Sequence, residues 1–100
     1  MGKSAIFFDD YVEAIDKFNN IIRIKPYLPE PFFFRGMAKL SLEDFEGAVL
    51  DCTEAIKLSP NYFYAYMYRG IAYKELKRFE ESIRDFEKAI ELEPNNAYTH

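Results

Sequence analysis

The sequence predicts an all-α fold of antiparallel helix–turn–helix repeats stacked as an α-solenoid. The first observation behind this is an internal period of thirty-four residues. Arg69-Gly70 answers to Arg35-Gly36, Ala72 to Ala38, Phe79-Glu80 to Phe45-Glu46, Asp85 to Asp51, Ala89-Ile90 to Ala55-Ile56 and Pro94-Asn95 to Pro60-Asn61, without a gap. One step further back, Gly2, Tyr11, Ala14, Phe18, Ile24 and Pro26 stand in the matching places. A fixed period of roughly 20 to 50 residues is the mark of a repeat array. The second observation is apolar spacing of i, i+3, i+4, i+7 within the units, with proline closing them. A single hairpin of this kind cannot bury both of its apolar faces, so the units must stack.

Taken in order, 1–26 is a partial first unit. Residues 1–8 read as the end of a helix, Asp9-Asp10 as a turn and N-cap, and 11–25 as a second helix on Tyr11, Ala14, Ile15, Phe18, Ile21 and Ile22, ended by Pro26. The second unit, 27–62, opens with a helix over about 31–42, with Pro31 tolerated in the first turn. Glu43-Asp44 makes the turn, 45–58 the next helix, and Ser59-Pro60-Asn61 the stop. The third unit, 63–96, repeats the plan: a helix over 63–76, a turn at Lys77-Arg78, and a helix over 79–93 stopped by Pro94-Asn95-Asn96. Residues 97–100 read as the start of a further, truncated helix.

Gly36 and Gly70 fall mid-helix, where glycine costs about 1 kcal/mol against alanine. Their repetition predicts a close helix–helix approach. Ala38, Ala72, Ala55 and Ala89 fit the same reading, with Phe32, Tyr66, Phe45, Phe79 and Phe86 filling the space around them. Arg35 and Arg69 each precede an aspartate, Asp51 and Asp85, by sixteen residues, which predicts one ion pair per hairpin.

Composition excludes several functions. A net charge of −4, with Lys74, Lys77, Arg78, Arg84 and Lys88 interleaved by acids, gives no basic surface for nucleic acid. No apolar run reaches the roughly 18 residues of a membrane helix. Cys52 is the one cysteine, so no internal disulfide forms and a reducing, cytoplasmic location is expected. Catalysis has no support. His100 is the sole histidine and the last residue, which rules out a fixed Cys–His or Ser–His–Asp set. Metal binding lacks a ligand cluster, and no cofactor is implied. Cys52 occupies the place of Phe86, so it reads as a small core residue.

These residues resemble the tetratricopeptide repeat family. The third unit carries Tyr66, Gly70, Tyr73, Phe79, Phe86, Ala89 and Pro94 at the family's offsets, and the second carries Phe32, Gly36, Phe45, Ala48, Ala55 and Pro60. Ser82, Lys39, Cys52, Arg35 and Arg69 depart from the pattern. The resemblance implies a right-handed superhelix whose concave groove holds a partner peptide. Mapped onto this chain, the concave positions are Glu30, Phe33, Phe34, Met37, Leu40 and Ser41 from the second unit and Tyr64, Met67, Tyr68, Ile71, Lys74 and Glu75 from the third, with Lys3, Ile6 and Phe7 added from the first. Phe33, Phe34, Met37, Tyr64, Met67, Tyr68 and Ile71 are the seven expected to bind a partner. Members that bind chaperone tails hold the terminal carboxylate with Lys, Asn and Arg. This chain has Phe33, Phe34, Met37, Tyr64 and Tyr68 there, so that specificity is not expected.

The expected function is therefore a non-catalytic protein–protein interaction scaffold that binds a peptide or helix in an aromatic groove. The alternative is a self-associating module, an end-to-end or swapped homo-oligomer, or a fragment of a longer array whose own segments cover the groove. For a fragment of a longer array, the face of the last helix bearing Phe86 and Ile90 is expected to be bare, and end-to-end packing or a swapped dimer would hide it.

Overall fold

The computed structural model describes the backbone over residues 2–93 and side chains over residues 9–93. The expected stop at Pro94-Asn95-Asn96, the start of a helix over 97–100 and His100 lie outside the described residues. Among those described there are five helices and no strand: α1 (Gly2–Ile24), α2 (Pro29–Ser41), α3 (Phe45–Leu58), α4 (Phe63–Glu75) and α5 (Phe79–Leu92). The hairpins α2–α3 and α4–α5 stack so that α3 packs on α4, α1 on α2, and α2 touches α4. This is an all-α helical repeat solenoid.

Local chemistry sets the ends of the helices. Leu28 precedes α2, whose first turn holds Pro29 and Pro31 at positions that need no N–H partner. The two hairpin turns are alike. Glu43 (φ 64°) and Lys77 (φ 66°) take the left-handed conformation. The Asp44 N–H donates to the Lys39 carbonyl at 2.8 Å and the Glu43 N–H to the Leu40 carbonyl at 2.9 Å. In the third unit, the Arg78 N–H donates to Tyr73 and the Lys77 N–H to Lys74. This pair of bonds reverses the chain at a helix end and satisfies the last carbonyls. Asp44 then caps α3, its carboxylate accepting from the Gly47 N–H at 3.1 Å.

The first unit departs from this plan. No turn forms at Asp9-Asp10, and α1 is one helix from Gly2 to Ile24. Aspartate only mildly disfavours a helix interior, and no glycine or proline lies between Phe8 and Tyr11. The hydrogen-bonded helix therefore continues through Asp9-Asp10.

The repeated glycines lie at close helix crossings. A Cβ on Gly36 would stand 3.2 Å from Asp51 Cβ and 3.3 Å from Cys52 Sγ, and one on Gly70 3.0 Å from Phe86 Cε1. Cys52, Ala55, Ala65, Ala72 and Ala89 are fully buried around them. Phe86 is thus packed against α4 and half-buried, which corrects its placement on a bare face. The uncovered stripe of α5 is Phe79, Ile83 and Ile90. Phe79, expected to fill the core, is 53% exposed. Its counterpart Phe45 is half-buried in a helix that α4 covers.

The two Arg–Asp pairs form, and they do more than close one hairpin. Arg35 Nε and Nη2 donate to the two carboxylate oxygens of Asp51 at 2.8 and 2.6 Å, and Arg69 does the same to Asp85 at 2.8 and 2.7 Å. The remaining Nη1 reaches back to the preceding unit, to Asn19 Oδ1 at 2.7 Å from Arg35 and to Thr53 Oγ1 at 3.2 Å from Arg69. Each guanidinium also lies 5.6 Å from a ring centroid, Phe32 for Arg35 and Tyr66 for Arg69. Both guanidinium pKa values are raised, chiefly by the hydrogen bonds to aspartate, with burial working against the rise. Each arginine thus joins three helices across two units.

Candidate functional site

The groove between α2 and α4 is built on Phe33. Its side chain is 5% exposed, with Phe34, Tyr62 and Tyr68 at ring-centroid distances of 5.4, 5.2 and 5.4 Å and Tyr64 at 6.3 Å. Phe18 of α1 extends the series by stacking on Phe34 at 5.8 Å. Helical spacing explains the layout: Tyr64 and Tyr68 stand four residues apart on one face of α4, opposite Phe34 and Met37 of α2. Such rings fix one another at the offset and tilted geometries that aromatic quadrupoles favour.

The result is a concavity of about 500 Å³ lined by Phe33, Phe34, Met37, Tyr62, Tyr64 and Tyr68. Phe34 and Tyr64 are more than two-fifths exposed at its rim, and among the described residues no charged side chain lines it. Five of the seven residues expected in the groove therefore meet there. Met67 does not: it is buried with Phe63 and Ala89 between α4 and α5. One residue before Tyr68, it is rotated about 100° away from the groove face. Ile71 is half-buried and lies outside the lining. Lys3, Ile6 and Phe7 fall among residues whose side chains are not described.

Tyr62 was not legible in the sequence. It precedes α4 at the N-cap position and so falls outside any helical periodicity. Its phenol is pushed up to about 12, first by burial and then by the charge of Glu30. It therefore stays a neutral hydroxyl, able to donate a hydrogen bond, on a residue that lines the groove.

A second concavity of about 260 Å³ adjoins the first, between α1 and α2, with Tyr11, Ala14, Phe18 and Ser41 on its walls and Phe34 and Met37 shared with the larger groove. Among the described residues no group of His, Cys, Asp and Glu could hold a metal ion. No described helix is long and apolar enough to cross a membrane. The Cys52 thiol is fully buried and pushed up to about 12 by desolvation, so it is no nucleophile at neutral pH.

The sequence profile of the tetratricopeptide repeat matches twice, over residues 29–62 and 63–96. The chain belongs to the tetratricopeptide repeat (TPR) family. Solved TPR structures superpose on nearly all of it. The first TPR domain of Spaghetti (RPAP3), bound to the HSP90 peptide SRMEEVD, is 36% identical with a TM-score of 0.89, over 98% of this chain and 78% of that one. The TPR domain of Arabidopsis OM64 is 31% identical with a TM-score of 0.88, over 98% and 81%. The second TPR domain of human RPAP3, in complex with the HSP70 peptide SGPTIEEVD, is 32% identical with a TM-score of 0.87, over 98% and 83%. No curated protein sequence matches the chain. These TPR relatives support a protein–peptide interaction module, and TPR domains as a family generally act without catalysis.

Proposed function

We propose that this TPR domain is a non-catalytic scaffold whose α2–α4 groove binds an apolar segment of a partner protein. The observation that carries this is the lining of the concavity: six side chains, all aromatic or Met, and none charged. The peptides bound by the RPAP3 domains end in Glu-Glu-Val-Asp. Burying such carboxylates requires cationic partners, and among the described residues none lines this groove. The apolar residue that precedes that tail, Met in one peptide and Ile in the other, is the kind of group this surface accepts. An amphipathic helix or an extended apolar strand fits best, with the tyrosine hydroxyls fixing orientation. A cytoplasmic setting goes with this reading, since the chain has one cysteine and no disulfide. The net charge of −4 leaves nucleic acid out of it, and no role on a membrane is part of it.

The test is a peptide-array screen followed by calorimetry. Apolar peptides should bind, SRMEEVD should not, and Phe34→Ala with Tyr68→Ala should weaken binding at least tenfold. Central aromatic anchors cost more than about 1 kcal/mol each on truncation. Preference for the acidic tail, or unchanged affinity in the double variant, would overturn the assignment.

A further inference from the structure

The straight course of α1 leaves a helix seat open among the described residues, and carries past it the segment that answers to the missing helix. The seat is the concavity of about 260 Å³ walled by Tyr11, Ala14, Phe18, Phe34, Met37 and Ser41. Thirty-four residues later the same positions are Phe45, Ala48, Cys52, Tyr68, Ile71 and Glu75. There the place is filled by α2, which crosses with Gly36 against Asp51 Cβ, Cys52 Sγ and the Ala48 carbonyl. The third unit repeats the crossing, with Gly70 against Phe86. The seat beside α1 is therefore shaped for a helix that presents a glycine.

The segment that answers to α2 is Gly2 to Phe8. Gly2 answers to Gly36 and Gly70, Ser4 to Ala38, Ile6 to Leu40 and Phe8 to Leu42. Because α1 does not turn at Asp9-Asp10, this segment runs on past its own seat.

We infer that the seat is filled by the same segment of a second copy, in a swapped two-fold dimer whose α1 helices run antiparallel. The hairpin register supports this occupant. Gly36 meets Cys52 and Gly70 meets Phe86, so Gly2 is matched to Phe18. An antiparallel pair in which Gly2 of one copy meets Phe18 of the other is centred on residue 10. The same operation therefore sets the partner's Gly2 on the first copy's Phe18. Both seats are filled at once, which closes the assembly and prevents it from growing into a fibre. Phe34 and Met37 line both concavities, so the partner's segment also walls one end of the larger groove. It brings position 3, which answers to Met37, to that edge. The inference stands apart from what the larger groove binds.

The alternative arrangement is a closed monomer in which Asp9 turns as Glu43 and Lys77 do, and two variants of the full 100-residue chain separate the two. Ala5 and Lys17 answer to Lys39 and Asp51, which meet at 3.2 Å across α2–α3. An equimolar refolded mixture of Ala5→Cys and Lys17→Cys chains is treated with a short bis-maleimide, while buried Cys52 stays unreactive. Light scattering after size exclusion should give a dimer, and the cross-link should join one chain of each kind. Asp9→Gly, which eases the reversal and weakens the straight helix, should raise the dimer dissociation constant about threefold. That is the effect of about 0.3 kcal/mol from each copy, the helix-interior difference between glycine and aspartate, at tenfold per 1.4 kcal/mol. A monomer whose doubly substituted chain cross-links within itself would overturn the inference. So would a dimer that ignores Asp9→Gly and gives no cross-link between the two kinds of chain.

Discussion

The two arginine networks look alike but should fail differently. Asp85 is 4% exposed and receives both of its charged hydrogen bonds from Arg69. Replacing Arg69 with Met leaves that carboxylate buried without its cation. It also removes the bond to Thr53 and the contacts with the Tyr66 and Tyr73 rings. An unpaired buried charge costs about 3–5 kcal/mol, and the 18% exposure of the arginine side chain admits some water, so about 3 kcal/mol is expected. Asp51 has a second cation: Lys39 Nζ lies 3.2 Å from Oδ2, at the position where the third unit carries Tyr73. Arg35→Met should therefore cost only about 1–2 kcal/mol, because the carboxylate keeps a charged partner. Urea titrations followed by circular dichroism measure both. For a domain of this size the difference corresponds to roughly 4–16 °C in Tm. Tyr73→Lys should restore about half of what Arg69→Met loses. Replacing Arg69 and Asp85 together with Met and Leu should recover most of it, since no charge is then buried. Equal losses at Arg35 and Arg69, or a double replacement no better than the single one, would refute the account.

Two further outcomes follow from the core. Gly70→Ala should destabilise by about 1–2 kcal/mol despite the better helix propensity of alanine, because its Cβ would stand 3.0 Å from the Phe86 ring. Phe86→Leu in the same chain should return part of that loss in a urea titration. Cys52 sets a limit at high pH. Its thiol rises from an ordinary 9.0 to about 12 in the folded chain, so between those values the folded state holds a proton that the unfolded state sheds. The stability it contributes is complete below pH 9 and declines as pH rises towards 12. From pH 8 to 10.5 the loss should reach roughly 1–2 kcal/mol. Cys52→Ala should flatten that part of the urea-midpoint profile; identical slopes in the two proteins would dismiss the thiol as the cause.

Much of this architecture is written in short-range pattern. The period, the Gly36 and Gly70 crossings and the sixteen-residue Arg–Asp spacing repeat without gaps, so the helices of the second and third units and their ion pairs could be located from residue types. Five groove residues came from the resemblance to the family, since Phe33, Phe34, Met37, Tyr64 and Tyr68 stand at the positions it assigns to the concave face. What the pattern could not supply depends on contacts made at a distance. Tyr62 joins the groove from a position before α4, where periodicity carries no information. Met67 turns into the core because α5 is there to bury it. Asp9-Asp10 has the residues of a turn, but a reversal is stable only when the packing it enables outweighs a left-handed residue. In the second and third units the facing helix supplies that packing at Glu43 and Lys77, whereas α1 runs on through Asp9-Asp10. Propensity and period thus locate the helices, and burial between them decides which faces become core, which become groove, and where the chain reverses.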